Sequence, residues 1–151
     1  MRIAAVFTLI ALAAACSRSE SAPSPPEKKN TPAPAATTPA PDGEKLFLKN
    51  CATCHMANGG GVPYMQPNIR GSAWISNPNP QPLLSLILRG AVVMGEAANA
   101  YDNKMPPFEH LNDAEIAALA TRVRERFAKP PIAKPVTPAE VAQARSRPGL
   151  P

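Results

Sequence analysis

Cysteine and histidine are scarce in this sequence, with three of the first and two of the second among 151 residues. A tetrahedral zinc site wants four such ligands, and the adjacency of Cys54 and His55 is awkward for two ligands of one ion, so a zinc reading is disfavoured. Strand signals are weak throughout. That removes the βαβ setting in which a C-x-x-C pair acts as a thioredoxin-like redox couple. Long apolar runs are also missing where they would matter: Ile3 to Ala15 holds only 13 residues, too few for a stable bilayer-spanning helix. Aromatic residues make up 5% of the chain. A large charge excess is absent from the middle of the sequence, where Asp42 to Lys129 carries nine Lys or Arg against eight Asp or Glu. The formal charge of +5 therefore resides at the ends, and no nucleic-acid partner is expected.

Proline, by contrast, is abundant, with 20 residues, 13 of which lie from Pro23 to Pro41 or from Pro130 to Pro151. These stretches read as a disordered linker and a Pro-rich tail, leaving residues 42–129 to form a small domain. A core of that size is marginal without a staple. A covalently held porphyrin would supply one, because its flat apolar faces give side chains something to bury against.

The residues that name such a cofactor are Cys51-Ala52-Thr53-Cys54-His55, a C-x-x-C-H pentapeptide that reads as a site for covalent c-type haem. Two thiols two residues apart on a helical turn can each add across one of the two haem vinyl groups, giving two thioethers. His55 is then carried beneath the ring, where one imidazole nitrogen can bind iron and the other can donate a hydrogen bond that fixes it. Electron transfer through iron is the leading expectation.

At the N-terminus a single positive residue, Arg2, precedes the apolar run, which reads as a secretory signal over residues 1–15. Leu12-Ala13-Ala14-Ala15-Cys16 resembles a bacterial lipobox, in which cleavage before the cysteine is followed by its lipidation. Ala13 stands where that motif most often has Leu, and simple cleavage after an A-x-A site with release of a soluble product is the alternative. Lipidation of Cys16 would account for an exported cysteine with no partner once Cys51 and Cys54 are consumed by haem. The expected location is the periplasmic side of a bacterial membrane. Ser17 to Pro41 then reads as a tether that, fully extended at about 3.1 Å per residue, reaches roughly 75 Å.

Local signals predict an all-α domain. Asp42 can cap a helix running through Phe47 into the cysteine motif. Pro82 to Leu88 suggests a short helix ending at Arg89-Gly90, with Gly90 as its C-cap. Asn112-Asp113-Ala114-Glu115 begins another, with Ile116, Leu119, Ala120, Val123 and Phe127 on one stripe. Thr137-Pro138-Ala139-Glu140 could start one more, but its stripe is poor and no role is assigned to it.

With these features on one chain, residues 42–129 resemble a class I c-type cytochrome. Gly43 and Phe47 match the small residue and aromatic with which that family's first helix crosses its last. Pro67-Asn68-Ile69-Arg70-Gly71 resembles the P-N-L-x-G loop whose proline carbonyl accepts the proximal histidine's hydrogen bond, which implies that Pro67 orients His55. Met105-Pro106-Pro107-Phe108 resembles the M-P-x-F segment that supplies the sixth ligand, implying the thioether of Met105. Gly61 through Trp74 to Phe108 is also similar to the cytochrome modules that accompany periplasmic dehydrogenases and reductases. That likeness places Trp74, Arg89 and Tyr101 near haem edges or propionates, with packing as the competing role for each. One departure concerns Arg122, which stands where the family often has an aromatic; the crossing would then be looser or rebuilt around Leu119 and Phe127.

Among the five methionines, Met1 leaves with the signal, Met56 directly follows His55, and Met65 lies in the proximal loop. Met94 competes with Met105. Met105 is preferred because Pro106 and Pro107 stiffen the chain beside it, and His110 is an alternative that would give a bis-histidine site. The resulting expectation is a monohaem carrier of single electrons between redox protein donors and acceptors. Its rivals are a haem sensor with a weak or absent Met105 bond and a dedicated electron-entry subunit of a dehydrogenase complex.

Overall fold

The computed structural model describes residues 39–147. The expected signal sequence, Cys16 and all but the end of the linker lie outside the described residues, as does the last part of the tail. The described residues form helices α1 (Gly43–Asn50), α2 (Ala52–His55), α3 (Ala73–Ser76), α4 (Gln81–Arg89), α5 (Asp113–Phe127) and α6 (Pro138–Ser146), with a 3₁₀ stretch, Gly90–Ala100, between α4 and α5. Among them there is no strand, only an isolated bridge between Val62 and Gln66.

The first helix starts where its cap dictates. The Asp42 carboxylate accepts from the backbone N–H of Glu44 at 3.0 Å and of Lys45 at 3.1 Å, satisfying two donors that the helix leaves open. Phe47, fully buried, packs against Phe127 of α5 with ring centroids 5.1 Å apart and tilted by 46°. Such a pair adds about 0.5–1.5 kcal/mol beyond the apolar area it buries. Phe127 thus supplies the aromatic contact that Arg122 does not. Arg122 instead turns outward to Glu44, 2.7 Å away, and Arg126 takes the other carboxylate oxygen at 2.6 Å.

The fifth helix carries the core. Its start is a full capping box between Asn112 and Glu115, and the predicted stripe is buried along its length. Helix α4 lies beside it with Leu83, Leu84, Ile87 and Leu88 buried. The span Gln81–Ala100 is long and apolar enough by composition to cross a membrane, with mean hydropathy 1.3. Its apolarity has a local cause, because α4 is a core helix and the 3₁₀ stretch after it contributes to the wall of a cavity.

The C-terminal segment differs from the disordered tail expected from Pro130. Thr137 and Glu140 form a second capping box, and α6 packs on both α5 and α4. Val136, Val141 and Ala144 belong to the same core cluster as Phe47 and Leu119. The sequence signal for this helix is weak because only Val141 and Ala144 are buried on a short element. Polar anchors complete its seat: the Val136 N–H donates to the Thr121 hydroxyl at 2.8 Å, and Gln81 Nε2 donates to the Glu140 carbonyl at 3.0 Å.

Candidate functional site

The α1 helix delivers the pentapeptide directly into the core. The Cys51 N–H donates to the Phe47 carbonyl at 2.9 Å, and the N–H groups of Cys54 and His55 both donate back to the Cys51 carbonyl, at 3.1 and 2.9 Å. The chain therefore turns in a tight helical coil in which Cys51, Cys54 and His55 all border one cavity of about 470 Å³. Both thiols are free. Burial, helped by the neighbouring Cys54, pushes the Cys51 thiol up to about 12, so it stays protonated at neutral pH.

His55 is buried, and its Nδ1 lies 3.1 Å from the Pro67 carbonyl oxygen. A carbonyl only accepts, so the proton sits on Nδ1 and the Nε2 lone pair is left for a metal. Burial also holds the imidazole below its ordinary value, against the opposing pull of the Pro67 bond, which favours the neutral ligand form. The loop that presents Pro67 is tied down on both sides. Gly61 N–H donates to the His55 carbonyl at 3.0 Å, Val62 and Gln66 exchange backbone hydrogen bonds, and Ile69 N–H donates to the Gly59 carbonyl at 2.9 Å.

Met105 lines the same cavity. Its carbonyl accepts from Ala91 N–H at 2.8 Å, and the Phe108 N–H donates to the Ile87 carbonyl at 2.9 Å, so Pro106 and Pro107 lie between two backbone anchors on the end of α4. This approach depends on Gly90, whose φ of +71° suits glycine and where a Cβ would stand 2.4 Å from the Met105 carbonyl oxygen. Met94, the competitor, also lines the cavity, whereas Met56 and Met65 are exposed at its outside. His110 is exposed and is not among the lining residues.

Trp74 and Tyr101 both border the cavity and are half-buried. Arg89 does not. Its guanidinium donates to Ser85 Oγ at 3.0 Å, to the Ala144 carbonyl at 2.9 Å and to the Arg147 carbonyl, closing the last turn of α6 onto α4. In the structure Arg89 thus takes the packing role left open for it, because the docked α6 offers carbonyls that an isolated tail would not.

The residues present suit a porphyrin with one carboxylate-bearing edge. The cavity is mainly apolar, with Ile75, Leu83, Ile87, Leu119 and Val123 along its walls. Within it the Gln66 side-chain oxygen is buried with no hydrogen-bond partner. That oxygen only accepts, so a carboxylate would not pair with it as placed. With the amide turned about its terminal bond, its NH2 group would face the cavity and could donate to a carboxylate entering with the cofactor. Sequence reasoning passed over Gln66; its signal was a lone amide directly before Pro67 in the proximal loop.

Residues 40–125 match the family model for cytochrome c. Over 84 residues the chain is 31% identical to the cytochrome c subunit of alcohol dehydrogenase (quinone) from Gluconobacter oxydans (strain 621H), a match that takes in 55% of this chain and 18% of that protein. Over 51 residues it is 37% identical to the subunits of the same description from Gluconacetobacter polyoxogenes and Komagataeibacter europaeus, covering 34% of this chain and 11% of each of theirs. The chain spans less than a fifth of the length of these relatives.

Proposed function

The chain belongs to the cytochrome c family, and we propose that it is an exported, lipid-anchored monohaem electron carrier. In this reading Cys51 and Cys54 hold haem c through thioethers, His55 and Met105 ligate the iron, Pro67 orients His55, and Cys16 bears the lipid. The haem supplies a one-electron iron couple when bound. What the chain contributes is position. The observation that carries the reading is that both cysteines, the histidine whose free nitrogen is left for a metal, and Met105 all border one apolar cavity.

With His55 and Met105 both holding the iron, no ligand position would be left for a substrate, which favours a carrier over a catalytic subunit. Methionine as sixth ligand favours the ferrous state and a relatively high potential. The partners are redox proteins, a donor upstream and an acceptor downstream. The matches to dehydrogenase cytochrome subunits favour one narrower version, in which the donor is a single dehydrogenase and the chain is its dedicated electron-entry subunit. Co-purification with a larger catalytic protein separates that version from a general carrier.

The test is an optical spectrum and a mass measured on protein made in a host that attaches c-type haem in the periplasm. Support consists of one added haem, a low-spin spectrum and the weak red absorption band of methionine-ligated ferric haem. Bare thiols and no added tetrapyrrole would overturn the reading, and rapid, complete carbon monoxide binding to the ferrous protein would favour the sensor instead.

A further inference from the structure

The segment bearing Met105 is held at two places, and both are tied to the last turn of α6. Upstream, Ile87 in the last turn of α4 and Ala91 just beyond it bond the backbone of Phe108 and Met105. That end of α4 is in turn fastened by Arg89, whose guanidinium reaches the carbonyls of Ala144 and Arg147. Downstream, the turn Phe108–Leu111 is closed by the Leu111 N–H donating to the Phe108 carbonyl at 3.1 Å. Arg145 grips this turn from outside: its guanidinium donates to the Glu109 carbonyl at 2.9 Å and to the Leu111 carbonyl, while Nε meets the Asp113 carboxylate at 2.7 Å.

Arginine suits this task because its planar fork binds several acceptors at once, where lysine would offer a single point charge. The neighbouring residue, Ala144, is buried against the core, so the backbone that carries Arg145 is itself fixed. The α6 side of these contacts, Ala144, Arg145 and Arg147, lies beyond residue 125, where the match to the family model stops.

We infer that the last turn of α6 is a positioning device, acting through Arg145 and Arg89, that sets how firmly Met105 is held over the cavity. The inference rests on Met105 being the sixth ligand. A thioether is a weak ligand to iron, so its occupancy depends on the chain holding it in place, and loosening either anchor raises the entropy lost on ligation. Arg145 is not among the residues that line the cavity and acts only through the Phe108–Leu111 turn.

The experiment compares full-length holoprotein with Arg145→Gln, Arg145→Lys and Arg89→Gln. Imidazole is titrated into the ferric form and the red band is followed, with haem content by mass as a parallel measurement. Imidazole competes with Met105, so its apparent affinity reports how tightly that ligand is held. The expected result is about tenfold tighter apparent imidazole binding in Arg145→Gln, equivalent to about 1.4 kcal/mol of lost ligation. Arg89→Gln should show a smaller change and Arg145→Lys an intermediate one, all with haem content unchanged. Where Arg145→Gln fails to accumulate, Arg145→Lys decides, since it keeps the charge beside Asp113 but loses the fork. Imidazole affinity equal to wild type in Arg145→Lys and in every other variant that accumulates would overturn the inference. A wild-type protein with no red band would instead sink the Met105 assignment beneath it.

Discussion

Gly43 lies against Ala118 so closely that a Cβ on it would stand 2.3 Å from the Ala118 carbonyl oxygen, with Arg122 Cβ, one turn further along α5, at 2.9 Å. The crossing of α1 and α5 therefore tolerates no side chain at that point, and α1 is the helix that leads into Cys51. Gly43→Ala is expected to force the two backbones apart and cost about 1–3 kcal/mol. Thermal unfolding of the holoprotein checks this: the melting temperature should fall, and an unchanged one would show that the crossing is looser than its geometry.

Met105→Ala is expected to abolish the weak red band, open the ferrous protein to rapid carbon monoxide binding and lower the potential. The fall should be a sizeable part of the roughly 0.8 V range that axial ligands span. Met94→Leu should leave all three measurements as they are. The opposite pattern, with the band surviving in Met105→Ala and lost in Met94→Leu, would reassign the ligand to the other methionine that borders the cavity.

Glu44 accepts a hydrogen bond from Arg122, the larger influence, and another from Arg126, and these hold its carboxyl below the ordinary value of 4.5 despite some desolvation. A carboxylate depressed in the folded state contributes stability above its unfolded value, and that contribution is lost as the pH falls through the lower folded one. Glu44→Gln should therefore destabilise the protein at pH 7 and matter progressively less below about pH 4.5. Because the pair is about a third exposed, the loss should be of the order of 0.2–1 kcal/mol. Denaturant unfolding at pH 7 and pH 3 measures both halves, and an equal effect at the two would refute the assignment.

Cys16→Ser is expected to move the full-length protein from the membrane fraction to the soluble periplasmic fraction while leaving its absorption spectrum intact. Each buried methylene of an acyl chain adds about 0.8 kcal/mol of membrane affinity, so loss of lipid is readily seen in fractionation. A variant that still sediments with membranes would point to protein contacts as the anchor.

What was legible beforehand was local. The cap at Asp42, the capping box at Asn112 and the glycine at the end of α4 are short-range signals, and each element begins or ends where those residues place it. The approach of Pro67 to His55 and of Met105 to the same cavity came from motif resemblance, since spacing alone does not reveal which loops meet. The packing role of Arg89 could not be told from a haem-facing one in the sequence, because its partners, the carbonyls of Ala144 and Arg147, are more than fifty residues away, at the end of a helix with a weak apolar stripe. Signals for α6 were nonetheless present: a threonine and glutamate three apart, and Val141, Ala144 and Arg145 at helical spacing. The proline richness around them obscured a helix that needs only one turn of burial to dock.

The docking of α6 separates two properties that are often assayed as one. A polypeptide halted near residue 129 would retain every side chain needed for pigmentation, so colonies or gels stained for haem would score it as intact. With Val136, Val141 and Ala144 gone from the core, its defects would surface in stability and under competition from small intruding bases, which makes colour a poor proxy for competence in this molecule.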